Sequence, residues 1–358
     1  VIRFPLLARY LTRAFLAKML AVLLGLASLL VLLDLLDRAA DVLQRGGMAG
    51  IARYILLRLP TMLGQLMPLA VLAGAILAFR QLAGNLEIAA MRALGLGAWR
   101  LLRALLPACA LAVALQAALQ LGIAPRSERA LTDWWDSRGE AIADQPIALA
   151  QRLWLRNGSE IVAVDSVSLD GSVLAGVLLV RRDADGRVLE CIDARRAAFG
   201  AEGWVLQQAR IIRPAATQPQ LAASQAWPDG PSPKLMRELS RPIVAQPLGR
   251  LLQGQRGQGS VSRGPAYYAT RVQATLAAML APLIMLILAL PAAFGMPRQE
   301  AAFRRGGIGL ILGLGYLVVN GVLTALGEAG ALGAYAAAWT APLCFALAGI
   351  WRLWIEES

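Results

Sequence analysis

Few residues in this sequence are equipped for covalent or acid-base chemistry. Histidine is absent, which removes Ser-His-Asp and Cys-His nucleophile pairs, His-ligated zinc and His proton relays together. The three cysteines stand apart. Cys109 and Cys344 fall in apolar stretches and Cys191 in a polar one, so the polar part cannot hold an internal disulfide. Asp133, Asp136, Glu140 and Asp144 are the acids an enzyme would have to use, but their spacing matches no recognisable acid-base arrangement. Asp183-Ala184-Asp185 has the D-x-D form of some metal sites, yet Gly186 follows and strand-like residues flank it, so it reads as a hairpin turn. No G-x-x-x-x-G-K-[ST] run occurs, and neither Lys18 nor Lys234 follows a glycine-rich loop. No catalytic residue, metal site or bound cofactor is expected.

The elements that carry these residues are mostly apolar. Of the 358 residues, 58% are hydrophobic and 16% charged, against roughly 45–50% and 25% in soluble domains. Mean hydropathy is +0.57. The apolar residues gather in six runs, at about 14–36, 59–79, 104–124, 272–297, 306–327 and 329–351, each near the roughly twenty residues a helix needs to cross a bilayer. A signal peptide is a poor reading of the first run, because its core is too long and Asp34-Leu35-Leu36-Asp37-Arg38 follows it in place of a small-x-small cleavage site.

The spacing predicts an α-helical polytopic membrane protein with six transmembrane helices and an all-β insert between helices 3 and 4. Residues 1–124 hold helices 1–3, with a short surface helix at about 82–97; residues 125–268 are the insert and its return linker; residues 269–358 hold helices 4–6. Within the insert, strands are expected at 152–156, 160–164, 173–180, 188–192 and 204–212, with a helical piece at 233–240. Short-loop basic residues set the orientation. Arg3, Arg9, Arg13 and Lys18 precede helix 1, Arg80, Arg92, Arg100 and Arg103 separate helices 2 and 3, and Arg298, Arg304 and Arg305 separate helices 4 and 5, so those sides are expected in the cytoplasm. Arg38, Arg45, Arg53 and Arg58, in the expected 1–2 loop, point the other way and are outvoted.

Binding, then, is the chemistry left to seek. Glu87, Met91 and Leu94 share one face of the short helix, with Arg92 beside them, and Glu87 is the lone acid between Arg80 and Arg103. Such a helix suits a cytoplasmic docking partner, or else lies partnerless at the membrane surface. Net charge is +12 and nearly all the cations are arginine, which suits bidentate phosphate recognition or simply reflects a GC-rich genome. The cations cluster at helix ends, which disfavours nucleic acid. Arg38, Arg45, Arg53, Arg126 and Arg129, at the outer ends of helices 1 and 3, could meet lipid phosphates or merely snorkel to headgroups. Gly309, Gly313 and Gly315 allow close approach of a second helix, in this chain or another.

The run NLEIAAMRALGLG at 85–97 resembles the coupling-helix signature of the LptF/LptG family of lipopolysaccharide-export permeases. Asp34-Leu35-Leu36-Asp37, Ala124-Pro125, Leu290-Pro291-Ala292-Ala293-Phe294-Gly295, and Gly313-Leu314-Gly315-Tyr316 with Asn320 are similar to that family in the same order, over nearly the whole chain. The helix 1 ending is more like LptG than LptF. The resemblance implies a multi-pass protein of the inner membrane of a Gram-negative bacterium, with a jellyroll insert in the periplasm. It implies an LptF-like second permease and an LptB-like ATPase dimer that carries ATP and Mg. It also implies LptC-like and LptA-like bridge proteins that receive lipopolysaccharide, coupling through Glu87, Met91, Arg92 and Leu94, and a lateral gate packed by Asp37, Gly309, Gly313 and Gly315. Relatives often have a basic residue where Asp34 stands here. Two other readings compete: a membrane-bound enzyme of envelope glycolipid synthesis, and an ABC permease for a different amphiphile.

Overall fold

The computed structural model describes residues 4–357 apart from 137–146, 158, 169, 184, 202, 215–217, 241–247, 256–263 and 292–298. Arg3, Glu140, Asp144, Ala184, Arg298 and the 292–295 motif therefore lie outside the described residues, as do the side chains of Arg45, Asp136, Arg304 and Arg305. The chain divides into two compact units, Val1–Glu128 with Ala269–Ser358, and Arg129–Tyr268. In chain order the helices are α1 (Leu6–Gln44), α2 (Gly46–Gly84), α3 (Glu87–Ala93), α4 (Ala98–Trp135), α5 (Pro233–Ser240), α6 (Leu248–Gln255), α7 (Pro265–Met279), α8 (Ala281–Ala289), α9 (Gln299–Glu328) and α10 (Ala334–Glu357).

Five of these helices, among the described residues, are long and apolar enough to cross a membrane, and the pair α7 and α8, bent by 45°, makes a sixth crossing if counted as one span. The bend has a local cause: Pro282 in the first turn of α8 lacks the N–H that would continue the ladder from α7. α1 and α2 are 39 residues each and are parted only at Gly47, whose φ of 57° and ψ of −150° suit glycine. At 1.5 Å per residue each helix is about 58 Å long, roughly twice the hydrocarbon thickness. This corrects the expected 1–2 loop: Arg38, Arg45 and Arg53 ride on helical extensions, because nothing but Gly47 interrupts the backbone pattern.

α2 is the framework of the membrane unit. In its most apolar window 61% of residues are buried, against 17% in α1 and 17% in α9. α1 lays a stripe at every fourth residue, Leu11, Phe15, Met19, Leu23 and Ala27, into the bundle, where Met67, Val71, Leu72, Ala75 and Phe79 of α2 join Ala104, Leu105 and Ala108 of α4 and Ile284 to Leu290 around α8. α2 also contains a defect that the neighbouring helix repairs. Pro68 has no N–H for the carbonyl of Gly64, and the buried Gln116 of α4 donates its Nε2–H to that oxygen at 3.2 Å.

The second unit is one antiparallel sheet, β1 (Ile147–Asn157), β2 (Glu160–Val167), β3 (Val173–Arg182), β4 (Val188–Gly200), β5 (Gly203–Ile212) and β6 (Gln220–Trp227), in the order β1-β2-β3-β4-β5-β6. Every neighbour in the sheet is a neighbour in sequence, so the described strands form a meander, without the crossover connections of the expected jellyroll topology. The sheet nevertheless closes on itself. In a flat sheet β2 and β6 would lie about 19 Å apart, yet Trp227 on β6 donates its Nε1–H to Glu160 on β2 at 2.9 Å. Glu160 also accepts from Arg181 at 2.7 Å, and Arg181 reaches Glu190 at 2.7 Å, linking β2, β3 and β4 along one end of the strands. Val162, Val164, Leu174, Val177, Leu179, Ala194, Trp204 and Leu206 fill the concave face, with Met236 and Leu239 of α5 packed into it.

The β2–β3 turn is fixed by Asp170. Its carboxylate accepts from the hydroxyls of Ser168 and Ser172 and from the Ser172 N–H at 3.0 Å. Burial works against the charge, but these hydrogen bonds outweigh it and hold the Asp170 pKa below the usual carboxylate range. A depressed folded-state pKa contributes stability that is full above about pH 4 and is lost as pH falls through the folded value. Asp170→Asn should therefore flatten the acid limb of the unfolding curve of this unit, measured by Trp fluorescence between pH 5 and 2, while leaving the wild-type limb steep. In the same turn Gly171 has φ of 80°, and a Cβ there would strike the carbonyl oxygen of Pro233. Gly171→Ala should cost about 1–3 kcal/mol in thermal unfolding.

Candidate functional site

Two polar constellations sit on the membrane unit, near opposite ends of α1. The first is built on α3. α2 ends at Gly84, Leu86 adopts a left-handed φ of 60°, and α3 runs for 7 residues before the chain turns at Gly95 into α4. Its end is closed by Gly95 N–H to Arg92 O at 2.9 Å and Leu96 N–H to Met91 O at 3.0 Å. Ile88 is buried and anchors α3 to the bundle, and Met91 packs on the same core. Leu7, Ile88, Met91, Arg92, Leu96, Arg100 and Leu101 line a shallow, mainly apolar groove beside it.

Of the residues expected to couple, Arg92 and Leu94 are exposed, whereas Met91 turns half inward. Glu87 has partners inside the chain, which its isolation in the sequence did not suggest. It accepts from the Tyr10 hydroxyl of α1 at 2.8 Å and from Asn85 Nδ2 at 3.1 Å. The signal was present, since Arg9-Tyr10 stands at the start of the first apolar run, but no local pattern connects residues 77 apart.

The second constellation is Asp34, Tyr54, Arg58 and Glu128. The Tyr54 hydroxyl donates to Asp34, Arg58 Nε lies 3.5 Å from the same carboxylate, and Arg58 Nη1 donates to Glu128 at 2.9 Å. Arg58 thereby ties α1, α2 and α4 together. Its side chain is 30% exposed, with Asp34 at 18% and Glu128 at 10%. Arg58, expected in the 1–2 loop, lies within α2 and serves as an internal counter-ion.

The remaining site residues are less concentrated. Arg38, Arg53, Arg126 and Asp37 are exposed and Arg129, in the second unit, is half-buried. None of these five belongs to the Arg58 cluster's hydrogen bonds and ion pairs given above. Gly309 and Gly313 face this chain's own helices: a Cβ at Gly309 would press on Leu288 O of α8 at 3.2 Å, and one at Gly313 would strike Leu72 of α2. Gly315 lies beside Phe345 of α10, with 3.8 Å available. The opposite face of α9 exposes Ile311, Leu314, Val318 and Val322.

A helical bundle built on a central helix, with a separate short helix between two of its spans and a β unit inserted in the chain, is the construction of a polytopic membrane transport subunit. The family model of the lipopolysaccharide export system permease LptF/LptG matches residues 9–355. The chain belongs to this family and is a transporter permease of lipopolysaccharide export, not an enzyme. A search of curated proteins finds no match.

Arg58 supplies the test of the polar cluster. Arg58→Met removes the guanidinium that Asp34 and Glu128 share and should cost about 1–3 kcal/mol, a drop of a few degrees in apparent Tm in detergent. Adding Asp34→Leu and Glu128→Leu to Arg58→Met should restore most of the loss; no recovery would show that packing by the arginine stem, not charge, is what matters.

Proposed function

We propose that this chain is the LptG-like member of a pair of permeases that stand over a separate LptB-like ATPase dimer, and that ATP and Mg are held entirely on that dimer. The bundle takes lipopolysaccharide from the outer leaflet of the inner membrane of a Gram-negative bacterium. The insert, on the periplasmic side, passes it to LptC-like and LptA-like bridge proteins. α3 is the coupling helix. The observation that carries the reading is the match along the chain to one permease family. Supporting it, α1 and α9 leave most of their apolar surface uncovered, as seams with a second permease require. The rolled sheet has an apolar concave face, and acyl chains would enter it by displacing Met236 and Leu239 of α5.

The seam on α9 is its Ile311, Leu314, Val318 and Val322 face, since Gly309 and Gly313 are occupied inside the chain. Arg38, Arg45, Arg53, Arg126 and Arg129 supply charge for lipid A phosphates in this reading, and Asp37, next to Arg38 in sequence, is exposed. A membrane enzyme of glycolipid synthesis is the weaker alternative, because the acids it would use include Glu140 and Asp144 in no recognisable arrangement with Asp133.

Docking by Glu87 and bracing by Glu87 separate experimentally. Tyr10→Phe removes only the internal hydrogen bond, whereas Glu87→Ala removes that bond and the charge. If Glu87 meets the ATPase, Glu87→Ala should weaken ATPase association about tenfold, or ~1.4 kcal/mol, and slow lipopolysaccharide release, while Tyr10→Phe leaves association unchanged. Equal binding by both variants and wild type would remove Glu87 from the docking surface.

A further inference from the structure

Three features of α1, spread along its length, combine into one device. Near its start Tyr10 is hydrogen-bonded to Glu87 of α3. Nine residues on, Met19 crosses Gly74 of α2 backbone to backbone, so closely that a Cβ on Gly74 would lie 2.5 Å from Met19 Cα. Fifteen residues further, Asp34 is held by Tyr54 and Arg58. Between Ala27 and Val42 no α1 side chain is buried. Helical backbone angles persist from the start of α1 until Gly47, so the segment has no joint at which its ends could part company.

We propose that α1 is a rigid lever pivoting on the Met19–Gly74 crossing, with Tyr10 the positioning residue through which α3 moves the far end and Asp34 the latch that holds that end to α2. The arms are about 14 Å and 22 Å long. A displacement at α3 therefore reaches Asp34 reversed in direction and about 1.7-fold larger. The crossing is suited to a pivot because Gly74 offers no side chain to interlock with a neighbouring ridge. Its contact is also tight enough to resist sliding. The tie at Tyr10 is exposed and adds little static stability, which fits a contact that is made and broken in a cycle. The latch is stronger, since breaking it separates a carboxylate from both a hydroxyl and a guanidinium. The proposal deepens the permease reading and rests on it only for what pushes α3.

Pulsed EPR on the full chain in lipid nanodiscs, without ATPase or lipopolysaccharide, tests the lever apart from the transport reading. With Cys109→Ala, Cys191→Ala and Cys344→Ala as background, Leu36→Cys with Leu56→Cys reports the far end. Leu20→Cys with Leu77→Cys reports the crossing; all four positions are exposed. Tyr10→Phe should change the ratio of short to long Leu36–Leu56 distances about two- to fivefold and leave the Leu20–Leu77 distances unchanged. Asp34→Asn should change the far-end ratio as well. Unaltered far-end distances in Tyr10→Phe would mean that the two ends move independently, and equal shifts at both label pairs would mean that α1 translates as a body; either result overturns the lever.

Discussion

A polar group in hydrocarbon has no water to fall back on, so a partner inside the protein stabilises it and selects the helix that supplies it. That constraint explains the contacts of the membrane unit that apolar packing alone would not require. Pro68 strands a carbonyl in the most buried of the five long spans, and a glutamine from α4 completes it. Arg58 enters the bundle from α2, and carboxylates from α1 and α4 neutralise it. In both cases the polar partner comes from another helix, so satisfying the group also fixes which helices are neighbours. α2 is therefore central for two reasons: it is the most buried of the long spans, and it carries both of these groups.

The inserted unit meets a related constraint by a different route. A six-stranded meander with one apolar face has too little covering structure among the described residues, which contribute only Met236, Leu239 and Leu235 of α5 to that face. Rolling the sheet covers the face with itself. The roll is closed by Trp227 reaching Glu160, a neutral donor on a carboxylate whose second oxygen is taken by Arg181. The result, among the described residues, is a curved meander with an apolar concave face and a charged rim along one end.

Much of this was legible in the sequence because the signals are periodic. Helix positions follow from uncharged runs, and Val162, Val164, Val177 and Leu179 alternate as a half-buried strand must. The strand starting at Ile147 was longer than expected because its first residues, Ile147-Ala148-Leu149-Ala150, do not alternate. α1 and α2 extend beyond the apolar runs at 14–36 and 59–79, and charge within the extended helices is met across the α1–α2 turn by pairs such as Asp34 with Arg58. Glu87 stands alone among arginines in the sequence, and in the structure Tyr10 is its partner. Pairings between residues 70 or 77 apart, such as Arg58 with Glu128 and Tyr10 with Glu87, leave no mark on local spacing. Gly309 and Gly313 illustrate the complementary limit: their spacing shows that a helix can approach closely, but which helix does so depends on Leu72 and Leu288.

In the proposed reading this bundle is one half of a lipopolysaccharide-extracting permease whose uncovered α1 and α9 faces are completed by a different subunit. Native mass spectrometry of the chain isolated from its own membranes in mild detergent distinguishes the alternatives. One dominant species is expected, containing this chain once, a second permease of the same family once, two copies of an ATPase, and a mass increment matching bound lipopolysaccharide. Recovery of the chain alone or as a homodimer, with neither ATPase nor lipopolysaccharide retained under conditions that keep the bundle folded, would contradict it.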